Sequence, residues 1–239
     1  MGIAAMGSGG TDLPHHKKNT LYSNGMTQNP VSNRRRESLQ ARAVAQLGNS
    51  QAVRTFLPDN ESDLQRCALL LLQLDQPAET LNQIMASATQ RGLTVVLTPA
   101  DLSSSRDAAL ACRGDFLIVS ESELEALTDM PVNGFAQMEE AAKSLLQQGL
   151  KNLIITLGER GCLWMSWGKT RHVAAYKVNA VDTRGARDAF IGCFAHYYAK
   201  DGDALNALEH ASLYAACCVT RAGGQDTYPS LAEFQAFRP

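Results

Sequence analysis

The sequence lacks any long apolar run. A helix needs about 20 consecutive apolar residues to cross a bilayer, and no run in these 239 residues approaches that length. The N-terminus also lacks the hydrophobic core of a secretory signal. These absences argue against a membrane partner and predict a cytoplasmic protein.

Closely spaced cysteine pairs are lacking too. None of the six cysteines takes part in a C-x-x-C pair, and Cys217 and Cys218 are adjacent in an apolar helical stretch. We therefore expect buried free thiols in a reducing compartment rather than disulfides or a zinc site.

A strong charge of either sign is also absent. The formal net charge is −2, which gives no electrostatic reason to expect nucleic acid or anionic lipid as a partner. Hydrophobic residues make up 45% of the chain and charged residues 19%, and both values are ordinary for a globular enzyme domain. The length is enough for one large domain.

The first sixty residues differ in composition from the rest. Residues 1–33 are rich in Gly, Ser, Thr and Asn, and we expect residues 1–60 to be disordered or poorly ordered. The basic run Arg34–Arg36 is typical of a solvated tail, with a localisation or nucleic-acid patch as the alternative. A short helix is predicted at Ala41–Leu47, ending at Gly48, which is a C-cap signal.

From Leu69 onward, short apolar segments alternate with helical patterns. The predicted strands are Ala68–Leu74, Thr94–Leu97, Phe116–Val119, Asn152–Leu157 and Cys162–Ser166. The predicted helices are Ala78–Arg91, Glu121–Leu127, Phe135–Gln148, Ala189–Tyr198, Ala204–Arg221 and Leu231–Phe237. This alternation indicates an α/β fold in which helices flank both faces of a mostly parallel sheet.

One edge of this sheet is predicted to be antiparallel. Val173–Val178 would pair with Cys162–Ser166 in a hairpin that has Gly168 in its turn.

In parallel sheets, ligands bind beyond the carboxyl ends of the strands. Four residues lie at such ends: Asp75, Thr98, Ser120 and Gly158.

The stretch 181–190, V-D-T-R-G-A-R-D-A-F, is the most informative part of the chain. Gly185 and Ala186 are small enough to let a ligand approach the backbone, and the free N–H groups of a helix's first turn form an anion site. A carboxylate there, Asp188, suits the removal of a proton from a hydroxyl that attacks a phosphoryl group. The alternative is an Asp that the helix dipole favours in a first turn.

This stretch resembles the signature D-T-x-G-A-G-D-x-F of the ribokinase-like (PfkB) carbohydrate kinases. Between Leu69 and the C-terminus, five further segments resemble family segments in matching order. They are L-L-L-Q-L-D (70–75), V-V-L-T-P-A (95–100), S-E-S-E (120–123), I-I-T-L-G-E-R-G (154–161) and V-T-R-A-G-G (219–224).

The resemblance implies that residues 61–239 form a ribokinase-like nucleotide-binding and catalytic domain. It implies an ATP-dependent sugar kinase, which transfers the γ-phosphoryl group to a primary hydroxyl of a pentose, as in the conversion of ribose to ribose 5-phosphate. Asp188 would be the base, and Gly185, Ala186 and Arg187 would form the anion hole. The expected partners are ATP and a small sugar, and the oligomeric state stays open, with a homodimer as one alternative.

The resemblance also places a nucleotide along the turn that follows Asn152–Leu157. The residues implied for this nucleotide site are Ser120, Thr156, Gly158, Glu159, Gly161 and Ser212. From the residues alone, the two glycines are equally typical of a tight turn between strands.

Two cations are implied by the same resemblance. Glu123 would organise Mg²⁺ through water, because magnesium keeps much of its hydration shell. K⁺ would lie beside the anion site, held by Asp182 and by groups of Arg184, Cys218, Arg221, Gly223 and Thr227. Asp75 would accept a hydrogen bond from a sugar hydroxyl. Without the resemblance, Glu123 would be a solvated helix carboxylate, Asp182 a turn cap and Asp75 a strand-end residue.

The sequence departs from the family pattern at several positions. Arg187 replaces a glycine of G-A-G-D, Ser120 replaces the asparagine of N-x-x-E, and Asp75 is one methylene shorter than the usual glutamate. The sugar-binding motif G-G-K-G-x-N is absent, although residues 42–48 faintly resemble the helix that follows it. We therefore expect a truncated N-terminal portion without a recognisable β-lid.

Two hypotheses follow from this mixture of matches and departures. The chain is an active sugar kinase, or it is a truncated and catalytically impaired homologue that only binds nucleotide or serves as an interaction domain. A Rossmann dehydrogenase is not supported, because no G-x-G-x-x-G follows a first strand.

Overall fold

The computed structural model of the chain describes residues 2–6, 40–48, 54–55, 67–74, 77–99, 106–223 and 228–239. The strands in these ranges are β1 (Gly2–Met6), β2 (Arg54–Thr55), β3 (Cys67–Gln73), β4 (Thr94–Thr98), β5 (Phe116–Ser120), β6 (Asn152–Thr156), β7 (Cys162–Ser166) and β8 (Lys169–Val173). They form one eight-stranded sheet in the order β2-β1-β3-β4-β5-β6-β7-β8.

The helices in the described ranges flank this sheet. They are α1 (residues 40–46), α2 (Ala78–Gln90), α3 (Arg106–Ala111), α4 (Glu121–Thr128), α5 (Phe135–Gln147), α6 (Ala186–Asp201), α7 (Ala204–Val219) and α8 (Leu231–Ala236). None of them is long and apolar enough to span a bilayer.

The sheet is buried on both faces, which explains its continuous apolar strands. Successive side chains of a strand point to opposite faces, so Leu70 and Leu72 of β3 pack with α2, α4 and α5. Leu69 and Leu71 pack with α1, α6 and α7 on the other face. The first six strands in this spatial order, from β2 through β1 to β6, pair in parallel with their neighbours. Strand β7 pairs antiparallel with β6, and β8 pairs antiparallel with β7. The predicted α/β class with a mostly parallel sheet is confirmed.

The predicted edge hairpin is confirmed, but its second strand was misplaced. The partner of β7 is Lys169–Val173, not Val173–Val178, and Ser166 pairs with Lys169 around a two-residue turn. Gly168 in that turn has a φ of 75°, as a two-residue hairpin loop favours. The exposed edge strand carries mostly polar residues, so its sequence lacks the apolar pattern that marks the buried strands.

Helix α6 is longer than predicted, since it begins at Ala186 and runs to Asp201 rather than covering Ala189–Tyr198. Helix α3 was not predicted. The six cysteines are free thiols, five of them buried, as expected. Burial raises the pKa of the Cys162 thiol to about 12, so this thiol is poorly reactive.

Parts of residues 1–60 have regular structure. Strand β1 pairs in parallel with β2 and β3, which the composition of the segment did not indicate. Helix α1 was predicted, and Gly48 closes it with a φ of 89° and a hydrogen bond of 3.0 Å to the Ala45 carbonyl. The division of the chain at residue 60 stays a prediction.

Helix α1 lies directly on α6, and a glycine makes this close approach possible. A Cβ atom at Gly192 would lie 2.6 Å from the Gln40 carbonyl oxygen and 2.7 Å from the Ala43 Cβ. The first residue of α1 is thereby held against the N-terminal half of α6, which carries the residues considered next.

Candidate active site

Several of the predicted site residues lie at one edge of the sheet. Thr98 ends β4, Ser120 ends β5 and Thr156 ends β6, and the carboxyl ends of parallel strands share one edge. The N-terminus of α6 lies at the same edge, because Arg187 of its first turn donates to the Ile118 carbonyl of β5. Asp75 and Thr227 lie outside the described residues.

Asp188 lies in the first turn of α6 and is buried, with 9% of its surface exposed. The Gln40 side chain donates a hydrogen bond of 3.2 Å from Nε2 to Asp188 Oδ1. The preceding Gly185 is the N-cap of α6, with a φ of 78°, and the Tyr228 hydroxyl donates to its carbonyl at 2.8 Å. Because glycine has no side chain to cap the helix, no side chain caps the start of α6, although the Ala186 N–H donates to the Thr183 carbonyl at 3.2 Å. An uncapped helix start of this kind is a favourable position for an anion.

A cavity of about 210 Å³ adjoins Asp188. Its lining includes Gln40, Gln73, Thr98, Gly185, Arg187 and Asp188. The cavity is therefore lined by the predicted base, Asp188, and by two of the three predicted anion-hole residues, Gly185 and Arg187.

Two polar side chains in this lining are buried: Gln73, which the sequence analysis missed, and Thr98, which it placed at a ligand-facing strand end. Gln73 and Thr98 are each 2% exposed. In the described part of the chain, neither the Gln73 amide atoms nor the Thr98 hydroxyl has a hydrogen-bond partner. An unpaired buried polar group costs about 1–3 kcal/mol, so such groups favour a polar ligand in the cavity. A glutamine inside the apolar strand β3 was the available signal.

Glu123, the residue implied for Mg²⁺, is occupied by protein groups. Arg187 donates from Nη1 to Oε1 at 2.6 Å and from Nη2 to Oε2 at 2.5 Å. The Ser120 backbone N–H also donates to Oε2 at 2.6 Å, and the Ser120 hydroxyl accepts from the Glu123 N–H at 3.3 Å. Ser120 and Glu123 thus form the capping box of α4. The donor set around this carboxylate does not fit a divalent cation.

The loop implied for nucleotide binding is a tight turn. Gly158 begins a 3₁₀ turn with a φ of 60°, and no atom lies within 4 Å of a Cβ added there. Gly161 has a φ of 91°, and an added Cβ would lie 2.0 Å from the Val173 carbonyl oxygen. Gly161 is therefore required by the turn itself, whereas Gly158 leaves its outer surface open. Glu159 is exposed.

Two further residues implied for this nucleotide site make hydrogen bonds to backbone carbonyls. Thr156 Oγ1 donates to the Val119 carbonyl at 3.2 Å, and Ser212 Oγ donates to the Ala174 carbonyl at 3.2 Å. Thr156 ends β6, and Ser212 is buried on α7. Their contact with a nucleotide stays a prediction.

The residues implied for K⁺ are partly brought together. Asp182 accepts hydrogen bonds from the Arg184 side chain at 2.6–3.2 Å and from the Gly223 N–H at 3.3 Å. The Arg184 guanidinium holds the pKa of Asp182 well below its usual range. The Arg221 N–H donates to the Cys218 carbonyl, and its side chain pairs with Glu233 at 2.9 Å. As arranged, the Asp182 carboxylate faces the Arg184 guanidinium, and the K⁺ site stays a prediction.

This fold and site define a class of protein, and comparison with known sequences identifies the family. The family model for pfkB family carbohydrate kinases matches residues 40–231. The chain belongs to this family, as predicted.

Two curated relatives and one solved structure show how far the similarity extends. The chain is 46% identical to the deoxyribokinase of Salmonella typhi over 175 residues, covering 73% of this chain and 57% of the relative. It is 32% identical to the ribokinase of Staphylococcus aureus, covering 69% and 54%. The chain thus spans little more than half the length of these relatives.

The structure of Arabidopsis thaliana ribokinase complexed with ribose and ATP superposes with a TM-score of 0.69. The two chains are 24% identical, and the superposition covers 76% of this chain and 59% of the other. At this identity the likeness concerns the fold, and it confirms the ribokinase-like architecture.

Proposed function

We propose that the chain is an ATP-dependent sugar kinase that transfers the γ-phosphoryl group of ATP to a primary hydroxyl of a pentose. The observation that carries this proposal is the position of Asp188. It is buried beside the uncapped start of α6, in a cavity that also contains polar groups without protein partners. Membership of the carbohydrate kinase family supports the same reaction class.

The chemistry follows from these positions. Asp188 accepts the proton of the attacking sugar hydroxyl as a new O–P bond forms and the bond between the γ-phosphorus and the bridging oxygen of ADP breaks. The N–H groups at the start of α6 stabilise the negative charge on the transferring group. The hydrogen bond from Gln40 holds the Asp188 carboxylate in place. No step is assigned to Mg²⁺ or K⁺, because Glu123 and Asp182 are both paired with arginine side chains as arranged.

The size and lining of the cavity support a small polar substrate. Pockets for drug-sized ligands measure about 300–1,000 Å³, whereas this cavity measures about 210 Å³. Sugar hydroxyls both donate and accept hydrogen bonds, so they suit the unpaired amide of Gln73 and the unpaired hydroxyl of Thr98. The names of the relatives, deoxyribokinase and ribokinase, make 2-deoxyribose and ribose the substrates to compare.

A second candidate function is nucleotide binding without efficient phosphoryl transfer. One observation favours it: Glu123 is held by Arg187 rather than left for a cation. Under this alternative, the chain would bind ATP or ADP and would turn over no sugar.

Radiolabelled ATP separates the two candidates. The purified chain is incubated with γ-labelled ATP and with ribose, 2-deoxyribose, fructose or no sugar, and labelled sugar phosphate is separated from inorganic phosphate. Label in a pentose phosphate, with the position of the phosphate fixed by ³¹P NMR, supports the kinase. Nucleotide binding measured by calorimetry, without label transfer to any sugar, supports the second candidate.

A further inference from the structure

Arg187 stands at a position where the family signature has glycine, and its side chain has a defined partner. The guanidinium makes two parallel hydrogen bonds to the Glu123 carboxylate, at 2.6 and 2.5 Å. Its Nη2 atom also donates to the Ile118 carbonyl at 3.2 Å. A two-pronged pair of this kind is geometrically specific and stronger than a single neutral hydrogen bond. The pair links the first turn of α6 to β5 and to the capping box of α4.

This pair decides what else the Glu123 carboxylate can bind. Oε2 accepts from both Arg187 and the Ser120 backbone N–H, and Oε1 accepts from Arg187. The side chains are 28% exposed for Arg187 and 16% exposed for Glu123, so water screens their attraction only in part. A divalent cation at Glu123 would have to displace the guanidinium or lie against its positive charge.

Arg187 also lines the cavity that contains Asp188. Its Nε–H is buried and, within the described residues, has no hydrogen-bond partner. The fixed guanidinium, whose charge the Glu123 carboxylate balances, therefore adds one unused donor next to the N-terminus of α6, a position that favours an anion. The unpaired Gln73 and Thr98 groups in the same cavity indicate independently that a polar ligand binds there.

We propose that the Arg187 guanidinium takes the place of a divalent cation at Glu123, so that the chain binds nucleotide phosphates at the start of α6 without Mg²⁺ at this carboxylate. The proposal rests on the proposed function only in taking a nucleotide as the ligand. The pair has no net charge, whereas a glutamate with a divalent cation has a net charge of +1. Nucleotide affinity of the natural chain is therefore lower than that of a variant in which Glu123 is free to bind Mg²⁺.

Calorimetric titration with ADP, in excess EDTA and in excess MgCl₂, tests this arrangement. For the natural chain, the two dissociation constants agree within about twofold. In Arg187→Gly, Glu123 is free, and Mg²⁺ tightens ADP binding by about tenfold or more. In the double variant Arg187→Gly/Glu123→Gln, Mg²⁺ has no such effect, because the carboxylate is missing. If Arg187→Gly fails to fold, as judged by circular dichroism, Arg187→Ala takes its place, and Mg²⁺ is expected to tighten its ADP binding in the same way.

Several outcomes overturn the proposal. It is wrong if Mg²⁺ tightens ADP binding to the natural chain by about tenfold, if Arg187→Gly shows no Mg²⁺ effect, or if the natural chain binds no ADP. The phosphoryl-transfer assay gives a separate answer. ADP binding that is independent of Mg²⁺, without sugar phosphorylation, contradicts the kinase and leaves this proposal standing. Sugar phosphorylation together with Mg²⁺-dependent ADP binding supports the kinase and contradicts the proposal for Arg187.

Discussion

The Gln40 amide donates a hydrogen bond to the Asp188 carboxylate across 148 residues of the chain, at 3.2 Å. Both residues are buried, and the contact exists because α1 lies directly on α6 at Gly192. The short helix α1, far from the rest of the site in sequence, thus supplies a positioning residue for the proposed base.

Removal of this hydrogen bond should slow phosphoryl transfer without loosening the nucleotide. In Gln40→Leu, which keeps the volume, a hydrogen bond to a carboxylate worth about 1.5–3 kcal/mol is lost. We expect kcat to fall by about tenfold or more, while KM for ATP and the ADP affinity stay close to those of the parent. Gln46→Leu, on the same helix but exposed, is the matched control and should keep full turnover. A fall confined to KM would show that Gln40 does not position the base.

The proposed base itself is tested by Asp188→Asn. Asparagine keeps the shape of the side chain but cannot accept the proton of the sugar hydroxyl. General-base catalysis contributes about 10²–10⁴-fold, so turnover should fall by that factor, while the ADP affinity changes little. Asp201→Asn at the other end of α6, where the residue is exposed, serves as the control. Turnover of Asp188→Asn close to that of the parent would remove Asp188 from the reaction.

Much of the fold was predictable because the sheet is buried on both faces. Strands β3 to β6 are continuous apolar runs, and their predicted ends agree with the structure within about one residue. Strand β8 was misplaced because an exposed edge strand has no apolar pattern to locate it. Strand β1 was missed because five small or apolar residues inside a polar segment give no period to read.

The positions of the site residues on helices and strands were predictable, but the ion pairs between their side chains were not. Local motifs indicated Asp188 at the start of a helix and Thr98 and Ser120 at strand ends. The pairing of Arg187 with Glu123 depends on the packing of α6 against β5, across 64 residues of the chain. Spacing along a sequence carries no information on such a contact, so the family pattern alone assigned Glu123 to a cation. The pattern S-x-x-E was also open to the interpretation that the structure supports, namely a capping box.

The two glycines of the turn after β6 should respond differently to alanine. Gly161→Ala places a Cβ 2.0 Å from the Val173 carbonyl oxygen at a φ of 91°, and we expect it to lower the free energy of unfolding by about 2–5 kcal/mol. Gly158→Ala meets no atom within 4 Å and should cost only about 1–2 kcal/mol for its left-handed backbone.

Urea unfolding measures these two costs, and ADP titration measures the effect on binding. If the nucleotide lies along this turn, Gly158→Ala weakens ADP binding although the variant stays folded. Equal destabilisation by the two substitutions would contradict the structural distinction between the glycines. Unchanged ADP affinity in Gly158→Ala would place the nucleotide elsewhere.

Thr98 provides a test in which stability and substrate binding should change in opposite directions. Its hydroxyl is buried and has no partner in the described part of the chain, so Thr98→Val, which keeps the shape, removes an unpaired polar group. We expect the variant to gain about 1 kcal/mol in the free energy of unfolding. If the hydroxyl binds the sugar, KM for the pentose should rise by about tenfold.

Thr128→Val is the matched control, because the Thr128 hydroxyl donates to the Leu124 carbonyl at 2.8 Å. That variant should lose about 0.5–1.5 kcal/mol in the free energy of unfolding and keep the parental KM. Since a purely structural role for Thr98 would leave KM unchanged, a more stable variant with an unaltered KM would exclude the Thr98 hydroxyl from the sugar site.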